Sequence, residues 1–260
     1  MNRIAAAFQN APIFMPYFPL GYPTLEISID VMEALAKNGA DLIEVGLSFS
    51  DPLADGPIIQ KATQIALQNG ITVGKSLAAV AELRRRGVEI PLILMGYYNP
   101  ILAYGLQRFA EAARTAGADG FIIPDLPPEE SAAFESTAGE LPLIRMLAPT
   151  TPPERIRRVA QSARGFIYLV SVAGTTGARA DLPAGLAGLI STVRQSAAVP
   201  VCVGFGIGTP QQARVVAQTA DGVIVGSACV QTIGESRAPV ETARLFARAF
   251  QEAVKQERRA

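Results

Sequence analysis

The chain has 260 residues, of which 49% are hydrophobic, enough for a sizeable core in one large domain or two small ones. Lysine plus arginine equals aspartate plus glutamate at 23 each, so no basic field favours nucleic-acid binding. Histidine is absent and only two cysteines occur, Cys202 and Cys229, which excludes a zinc cluster and a disulfide framework. Without an apolar run of about 18 residues or a signal-peptide core, we expect a cytoplasmic protein that makes no membrane contact.

The N-terminal quarter predicts a helix, a strand and a second helix. Residues 1–9 have the pattern of a short helix, and the apolar residues 13–18 that follow predict the first strand. Thr24 is a predicted N-cap for the next helix, whose apolar side chains recur every four residues. Asn38-Gly39 is the predicted end of that helix.

An internal repeat of helix end, turn and apolar strand then recurs along the chain. It is found at residues 38–45, 116–124 and 219–226. Further strands are predicted at residues 91–95, 141–147, 166–170 and 199–203. Further helices are predicted at about residues 77–85, 106–115, 153–162, 185–195, 210–218 and 240–256.

Eight apolar strands that alternate with helices predict an α/β fold with a parallel sheet covered by helices. In about 250 residues this count favours a single (βα)8 barrel over residues 1–260, with a short extra N-terminal helix. Such a barrel has its active site at the C-terminal ends of the strands. Functional side chains are therefore expected just after each strand.

Two carboxylates lie in that position around the second strand. Glu44 interrupts the buried run of residues 42–45, and burial of an unpaired carboxylate is costly. Asp55 lies in the loop that follows, just before Gly56-Pro57 opens a helix. Both are candidate catalytic groups. The alternatives are a structural ion pair for Glu44 and a helix cap for Asp55.

Glycine-rich loops follow the seventh and eighth strands, at residues 203–208 and 225–228. Backbone N–H groups in such loops, together with a helix N-terminus, bind phosphate in many barrels. The alternative is that these glycines only make tight turns.

Three further features keep two interpretations each, and two arginine positions carry one expectation each. The loop at residues 172–179 is either a lid or an ordinary loop. Tyr168 either points into the barrel or is only a packed core tyrosine, and Asp125 either contacts a ligand or caps the next helix. Arg145 is a charge in an apolar strand and is expected to pair with a carboxylate. The arginines at 84–86 are expected to form a solvated helix end.

Five blocks of sequence, in order along nearly the whole chain, resemble the tryptophan synthase alpha subunit family. They are DLIEVGLSFSDPLADGPIIQ (41–60), LMGYYNPIL (94–102), IIPDLPPEE (122–130), YLVSVAGTTGAR (168–179) and GFGIGTPQQ (204–212) followed by VGSA. The segment FSDPLADGP is the most specific of these matches.

The resemblance implies a (βα)8 barrel that cleaves indole-3-glycerol phosphate to indole and glyceraldehyde 3-phosphate. It also implies an α2β2 complex, in which indole passes to a β subunit that carries pyridoxal phosphate. The α subunit itself would need no cofactor and no metal.

The resemblance also implies roles for individual residues. Glu44 would be the general acid and base, and Asp55 the second catalytic carboxylate. Thr176 would reach Asp55 when the loop closes, and Asp51 would lie toward the β subunit. The remaining substrate-binding positions would be Tyr17, Met95 and Tyr168 in the indole and glycerol pocket, and Gly177, Gly204, Phe205, Gly206, Gly226 and Ser227 around the phosphate.

The chain departs from the family pattern near the expected β-subunit contact. Ser48 replaces a common proline, and the segment from Pro19 to Tyr22 lacks the usual acidic turn. One alternative is therefore a free-standing lyase that releases indole, and another is a non-catalytic barrel that only activates a β subunit. A different phosphate-binding barrel, such as a sugar-phosphate epimerase, would not need FSDPLADGP.

Overall fold

The computed structural model describes residues 2–171, 185–204 and 206–256. Within these residues eight short strands occur, and every paired strand is parallel to its neighbour. They are β1 (Ile13–Pro19), β2 (Ile43–Gly46), β3 (Leu92–Met95), β4 (Gly120–Ile122), β5 (Arg145–Leu147), β6 (Ile167–Val170), β7 (Val201–Gly204) and β8 (Gly222–Val225).

Helices separate these strands, and sequence signals mark their ends. Thr24 caps α2 by accepting the Ile27 N–H, which confirms the predicted cap. In the described part of the chain the helices are α1 (Arg3–Phe8), α2 (Leu25–Lys37), α3 (Pro57–Gln68), α4 (Val73–Arg85), α5 (Tyr98–Tyr104), α6 (Leu106–Ala116), α7 (Ala132–Ala138), α8 (Pro153–Ser162), α9 (Leu186–Ser196), α10 (Pro210–Ala217), α11 (Ser227–Gly234) and α12 (Pro239–Lys255), with a 3-10 turn at Pro128–Glu130.

The strand order β4-β3-β2-β1-β8-β7-β6-β5 places sequential strands side by side. The two outer strands then meet through a parallel bridge between Phe121 and Leu143. The Phe121 N–H donates to Pro142 O, and the Ile144 N–H donates to Phe121 O. This contact closes the sheet, and the predicted (βα)8 barrel is confirmed.

Side chains along each strand point alternately outward and inward, so the hydrophobic core has two parts. One face of every strand packs against the surrounding helices, and the other fills the barrel. Leu42, directly before β2, fills the barrel interior, while Ile43 and Val45 on β2 face the helices. At the N-terminal end α1 closes the barrel, because Ile4 is buried and the Phe8 ring lies 5.8 Å from Phe166.

Three aspartates of the sequence repeat join the strands at the N-terminal end of the barrel. Asp41 accepts the Phe14 N–H at 2.8 Å, and Asp221 accepts the Val201 N–H at 2.9 Å. Each also pairs with a cation, Lys255 for Asp41 and Arg194 for Asp221. The repeat therefore has a structural role away from the active-site end.

Asp119 is the third of these aspartates and has the most partners. It accepts the Leu92 N–H at 2.8 Å and binds Arg84 at 2.5 Å and Arg3 at 3.1 Å. The Arg84 side chain, only 14% exposed, also donates to three backbone carbonyls. The predicted solvated helix end is therefore wrong for Arg84, although Arg85 is exposed.

Several smaller predictions can also be compared with the fold. Both cysteines are buried. Arg145 is buried and pairs with Glu135 at 2.9 Å, which confirms a carboxylate partner. Strand β5 is shorter than predicted, and the ranges predicted for helices do not include α5, α7 or α11. Among the described residues no helix is long and apolar enough to cross a membrane.

Candidate active site

Strand β2 directs Glu44 into the mouth of the barrel. Glu44 lies two residues after the inward-facing Leu42, so the twofold alternation of a strand gives it the same direction. Its neighbours in register are Tyr17 on β1 and Ile93 on β3. The side chain is buried, and it forms no ion pair within the described part of the chain. This geometry does not support the structural ion-pair alternative.

Asp55 is buried in the loop between β2 and α3, and it does not cap the helix. The N-cap of α3 is Gly56, with no side-chain cap, and Pro57 occupies the first turn. The Asp55 main-chain oxygen accepts from the Gln60 side chain, which leaves its carboxyl group to the barrel mouth. Among the described residues, its Oδ1 is the one buried side-chain oxygen without a hydrogen-bond partner.

The two carboxyl groups have different acidities. Burial, and secondly the charge of Asp55, raise the pKa of Glu44 to about 8. Burial raises the pKa of Asp55 to about 6, and a side-chain hydrogen bond from Tyr97 acts in the opposite direction. Near neutral pH, Glu44 is therefore mostly protonated and Asp55 mostly ionised. The pair holds a proton donor and an anion in one buried site.

Two tyrosines occupy space made available by glycines at the ends of the neighbouring strands. A Cβ on Gly46 would lie 2.4 Å from the Tyr17 hydroxyl oxygen, and one on Gly204 would lie 2.4 Å from that of Tyr168. Both tyrosines are buried, and burial together with the two carboxylates raises their pKa values. Gly204 therefore makes room for the Tyr168 ring, and this role is separate from the phosphate binding expected of its backbone.

Glycines follow both β7 and β8, and the one after β8 opens α11. Gly206 has φ +75°, a conformation that favours glycine, and Gly226 is the N-cap of α11. No side chain caps this helix among the described residues, so its first N–H groups are available to an anion. Ser227 is the first residue of α11 and is buried. Gly226 is adjacent to Tyr17, because an added Cβ would lie 3.9 Å from the Tyr17 Cβ.

The structure accounts for two other polar or pocket positions. Met95 is half-buried at the end of β3, in register with Gly46. Asp125 accepts the Tyr98 N–H at 2.9 Å, so it satisfies the first turn of α5, which precedes it in the chain, and does not cap the next helix as the capping alternative expected.

Tyr97 is a site residue that the sequence reasoning missed. It follows β3, is buried, and contacts both Ala54 and Asp55. Its position directly after a strand of the barrel was the available signal.

Part of the predicted site cannot be compared. Thr176, Gly177, Phe205 and the loop at residues 172–179 lie outside the described residues. Across the residues that are described, no three His, Cys, Asp or Glu side chains come together as a possible metal site.

Comparison with known proteins adds independent information. The sequence model of the family described as tryptophan synthase alpha chain matches residues 4–258. The tryptophan synthase alpha chain of Chloroflexus aggregans is 50% identical, over 93% of this chain and 92% of that protein. That of Dehalococcoides mccartyi is 49% identical, over 90% and 92% respectively.

The chain belongs to the tryptophan synthase alpha chain family. Solved structures agree with this membership. A chain of Mycobacterium tuberculosis tryptophan synthase has 37% identity, covers 98% of both chains and superposes with a TM-score of 0.90. The tryptophan synthase subunit alpha of Legionella pneumophila has 37% identity, coverage of 98% and 99%, and a TM-score of 0.88.

Membership of this family confirms the resemblance found in the sequence and assigns the chain to tryptophan biosynthesis. It also supports a role as an enzyme. Neither the free-standing lyase nor the non-catalytic barrel is favoured by these comparisons.

Proposed function

We propose that the chain cleaves indole-3-glycerol phosphate to indole and glyceraldehyde 3-phosphate, and passes the indole to a β subunit in an α2β2 complex. The observation that carries the proposal is the pair of buried carboxyl groups, Glu44 and Asp55, with separated pKa values at the barrel mouth. A retro-aldol cleavage needs such a pair, because one group must exchange protons while the other bears negative charge.

In this mechanism the protonated Glu44 donates its proton to C3 of the indole ring. The positive charge that develops on the ring is stabilised by the ionised Asp55, whose Oδ1 has room to accept the indole N–H. Glu44, now a carboxylate, takes the proton from the side-chain hydroxyl next to C3. The carbon–carbon bond breaks, the hydroxyl carbon becomes the aldehyde, and Glu44 is protonated again.

The phosphate would be held by Gly204, Gly206, Gly226 and Ser227 at the N-terminus of α11, together with Gly177 and Phe205. The support is the uncapped start of this helix beside Tyr17, which itself adjoins Glu44. Tyr17, Met95 and Tyr168 would enclose the indole and glycerol moieties, and Thr176 would contact Asp55. The reaction proposed requires neither a cofactor nor a metal on this chain, and we place it in the cytoplasm.

The deciding experiment measures release of both products from indole-3-glycerol phosphate by the purified chain, alone and with its β subunit. We expect Glu44→Gln to reduce kcat by about 100-fold or more, the usual contribution of a general acid–base group. Binding of a substrate analogue that lacks the reacting hydroxyl should change little, because glutamine preserves the shape of the side chain. Calorimetry measures this binding directly.

Glu89→Gln is the matched control, since Glu89 is exposed in the turn before β3. This variant should cleave at the wild-type rate. Wild-type rates from Glu44→Gln would contradict the role of Glu44. Absence of cleavage by the wild-type chain, with and without β subunit, would contradict the proposed reaction.

A further inference from the structure

Tyr97 joins two loops of the barrel mouth. It follows β3 and is the N-cap of α5, and only 3% of its surface is exposed. Its ring lies 5.7 Å from that of Phe49 in the loop between β2 and α3. The main chain of this region is also connected, since the Leu47 N–H donates to Met95 O at 2.8 Å. The Tyr97 ring therefore packs on the loop after β2, next to a backbone hydrogen bond that joins the ends of β2 and β3.

The Tyr97 hydroxyl has two polar neighbours, one that donates a hydrogen bond to it and one that accepts a hydrogen bond from it. The Ala54 N–H donates to the hydroxyl oxygen at 3.0 Å. A hydroxyl group has one proton to donate, and with its oxygen accepting from Ala54 that proton is left for Asp55. The backbone of the loop therefore orients the hydroxyl, and the hydroxyl in turn orients the carboxyl group.

We propose that Tyr97 is a positioning residue, which holds the Asp55 carboxyl group in the barrel mouth while leaving Oδ1 open to the substrate. This inference rests on the proposed function for its catalytic consequence, but the contact itself does not depend on it. Tyr97 does not need to touch the substrate. Its effect is exerted through Asp55 and through the loop that carries Asp55.

The hydrogen bond has an electrostatic consequence. Donation to the ionised form lowers the pKa of Asp55, against the larger raising effect of burial. It therefore keeps Asp55 an anion at pH values where Glu44 is still protonated. The other titratable groups that interact with Asp55 are Glu44 on β2, Tyr17 on β1 and Tyr168 on β6. Tyr97 also faces Asp125, which follows β4.

Tyr97→Phe removes the hydroxyl and keeps the ring on Phe49, so the barrel should fold. We expect kcat/KM to fall by about tenfold to a hundredfold, the loss typical of one hydrogen bond to a charged group. The acid limb of the pH profile should move to higher pH by about one unit, because Asp55 becomes harder to ionise. A general loosening of the site would lower the rate at every pH without moving this limb.

Tyr104→Phe is the matched control. Tyr104 is the last residue of α5, where its ring packs against Phe109 and under Arg108, away from the two carboxylates. The same hydroxyl deletion there should leave the rate and the pH profile unchanged. Thermal unfolding of both variants shows whether they are folded.

A second measurement separates this inference from the proposed reaction. Carbon-13 labelling of the aspartate carboxyl groups, with Asp55→Asn for assignment, follows the titration of Asp55 without any substrate. A higher pKa of Asp55 in Tyr97→Phe supports the inference even if the wild-type chain cleaves nothing. An unchanged titration together with an unmoved acid limb overturns it, even if the wild-type chain is an active lyase.

Discussion

The carboxylates at the two ends of the barrel have opposite kinds of surroundings. At the N-terminal end Asp41, Asp119 and Asp221 each accept a strand N–H and bind a cation. At the C-terminal end Glu44 and Asp55 are more deeply buried, and neither forms an ion pair among the described residues. Carboxyl groups at one end of the barrel are therefore paired with cations, whereas those at the other end are buried without such a partner in the described part of the chain.

The carboxylates at the N-terminal end stabilise the fold, whereas those at the C-terminal end are suited to proton transfer. A carboxylate that is paired and hydrogen-bonded stays ionised and fastens a strand to a helix. A buried carboxyl group without a cation has a raised pKa, which costs stability when it is charged but allows it to carry a proton near neutral pH. The same division between a stabilising and a reactive end is general in barrels of this type.

The largest stability effect is expected at Asp119. Asp119→Ala leaves the Arg84 guanidinium, only 14% exposed, without its carboxylate, and leaves the Leu92 N–H without its acceptor. We expect the free energy of unfolding to fall by about 3–5 kcal/mol. Urea unfolding at pH 7 measures this loss, and the kinetics of the remaining folded protein should be unchanged.

The control for Asp119→Ala is Glu241→Ala, which breaks an ion pair whose two side chains are more than half exposed. Such a pair is worth about 0–1 kcal/mol. If both variants lost the same small amount, the N-terminal end of the barrel would not have the stabilising role described here.

The architecture could be predicted from sequence because the repeat of helix end, turn and apolar strand marks each unit. The helices and strand bounds that were not predicted correctly have local causes. Helix α5 contains Asn99-Pro100 in its first turn, a pair usually associated with loops, although proline is tolerated there. Helix α7 has only Phe134 and Ala138 buried, too few to give a periodic signal. Strand β5 begins only at Arg145, because Leu143 and Ile144 before it pair with Phe121 through a single isolated bridge.

The two carboxylates of the site could be predicted because each residue type is unusual at its position in the sequence. Glu44 stands out as a charge within an apolar strand, and Asp55 precedes a helix that already has Gly56 as its cap. Tyr97 gives no such signal, because a tyrosine after a strand fits many environments. Its role arises from a contact with Ala54, 43 residues away in sequence, which depends on how the loop after β2 folds.

The next effect concerns the pH dependence of stability at the reactive end. The pKa of Glu44 is near 4.5 when exposed and about 8 in the fold, so the folded state binds more protons between these values. Stability contributed by this proton is therefore present below about pH 4.5 and is lost as the pH rises to 8. Glu44→Gln, which has no proton to lose, should be more stable than wild type at pH 9 by on the order of 2–4 kcal/mol.

Thermal unfolding at pH 5 and pH 9 tests this sign without any substrate. At pH 5 the Glu44→Gln and wild-type chains should unfold at similar temperatures, since Glu44 is protonated in the fold. At pH 9 the variant should unfold several degrees higher, at about 2–4 °C per kcal/mol for a chain of this size. A variant that is less stable at pH 9 would mean that the Glu44 carboxylate has a stabilising partner.

The smallest loss in the free energy of unfolding is expected for Asp221→Ala. This variant can be compared directly with Asp119→Ala at the same end of the barrel. Asp221→Ala removes the same kinds of contact as Asp119→Ala, an acceptor for a strand N–H and a partner for an arginine. However, the Arg194 side chain is 49% exposed, so water can solvate it after the change. We expect a loss of about 1–2 kcal/mol by urea unfolding, mainly from the unpaired Val201 N–H. The second partner of Asp119, Arg3, is 50% exposed and contributes little, so the difference between the two losses mainly measures the burial of Arg84. Equal losses would show that the strand N–H contact, and not the buried ion pair, stabilises this end of the barrel.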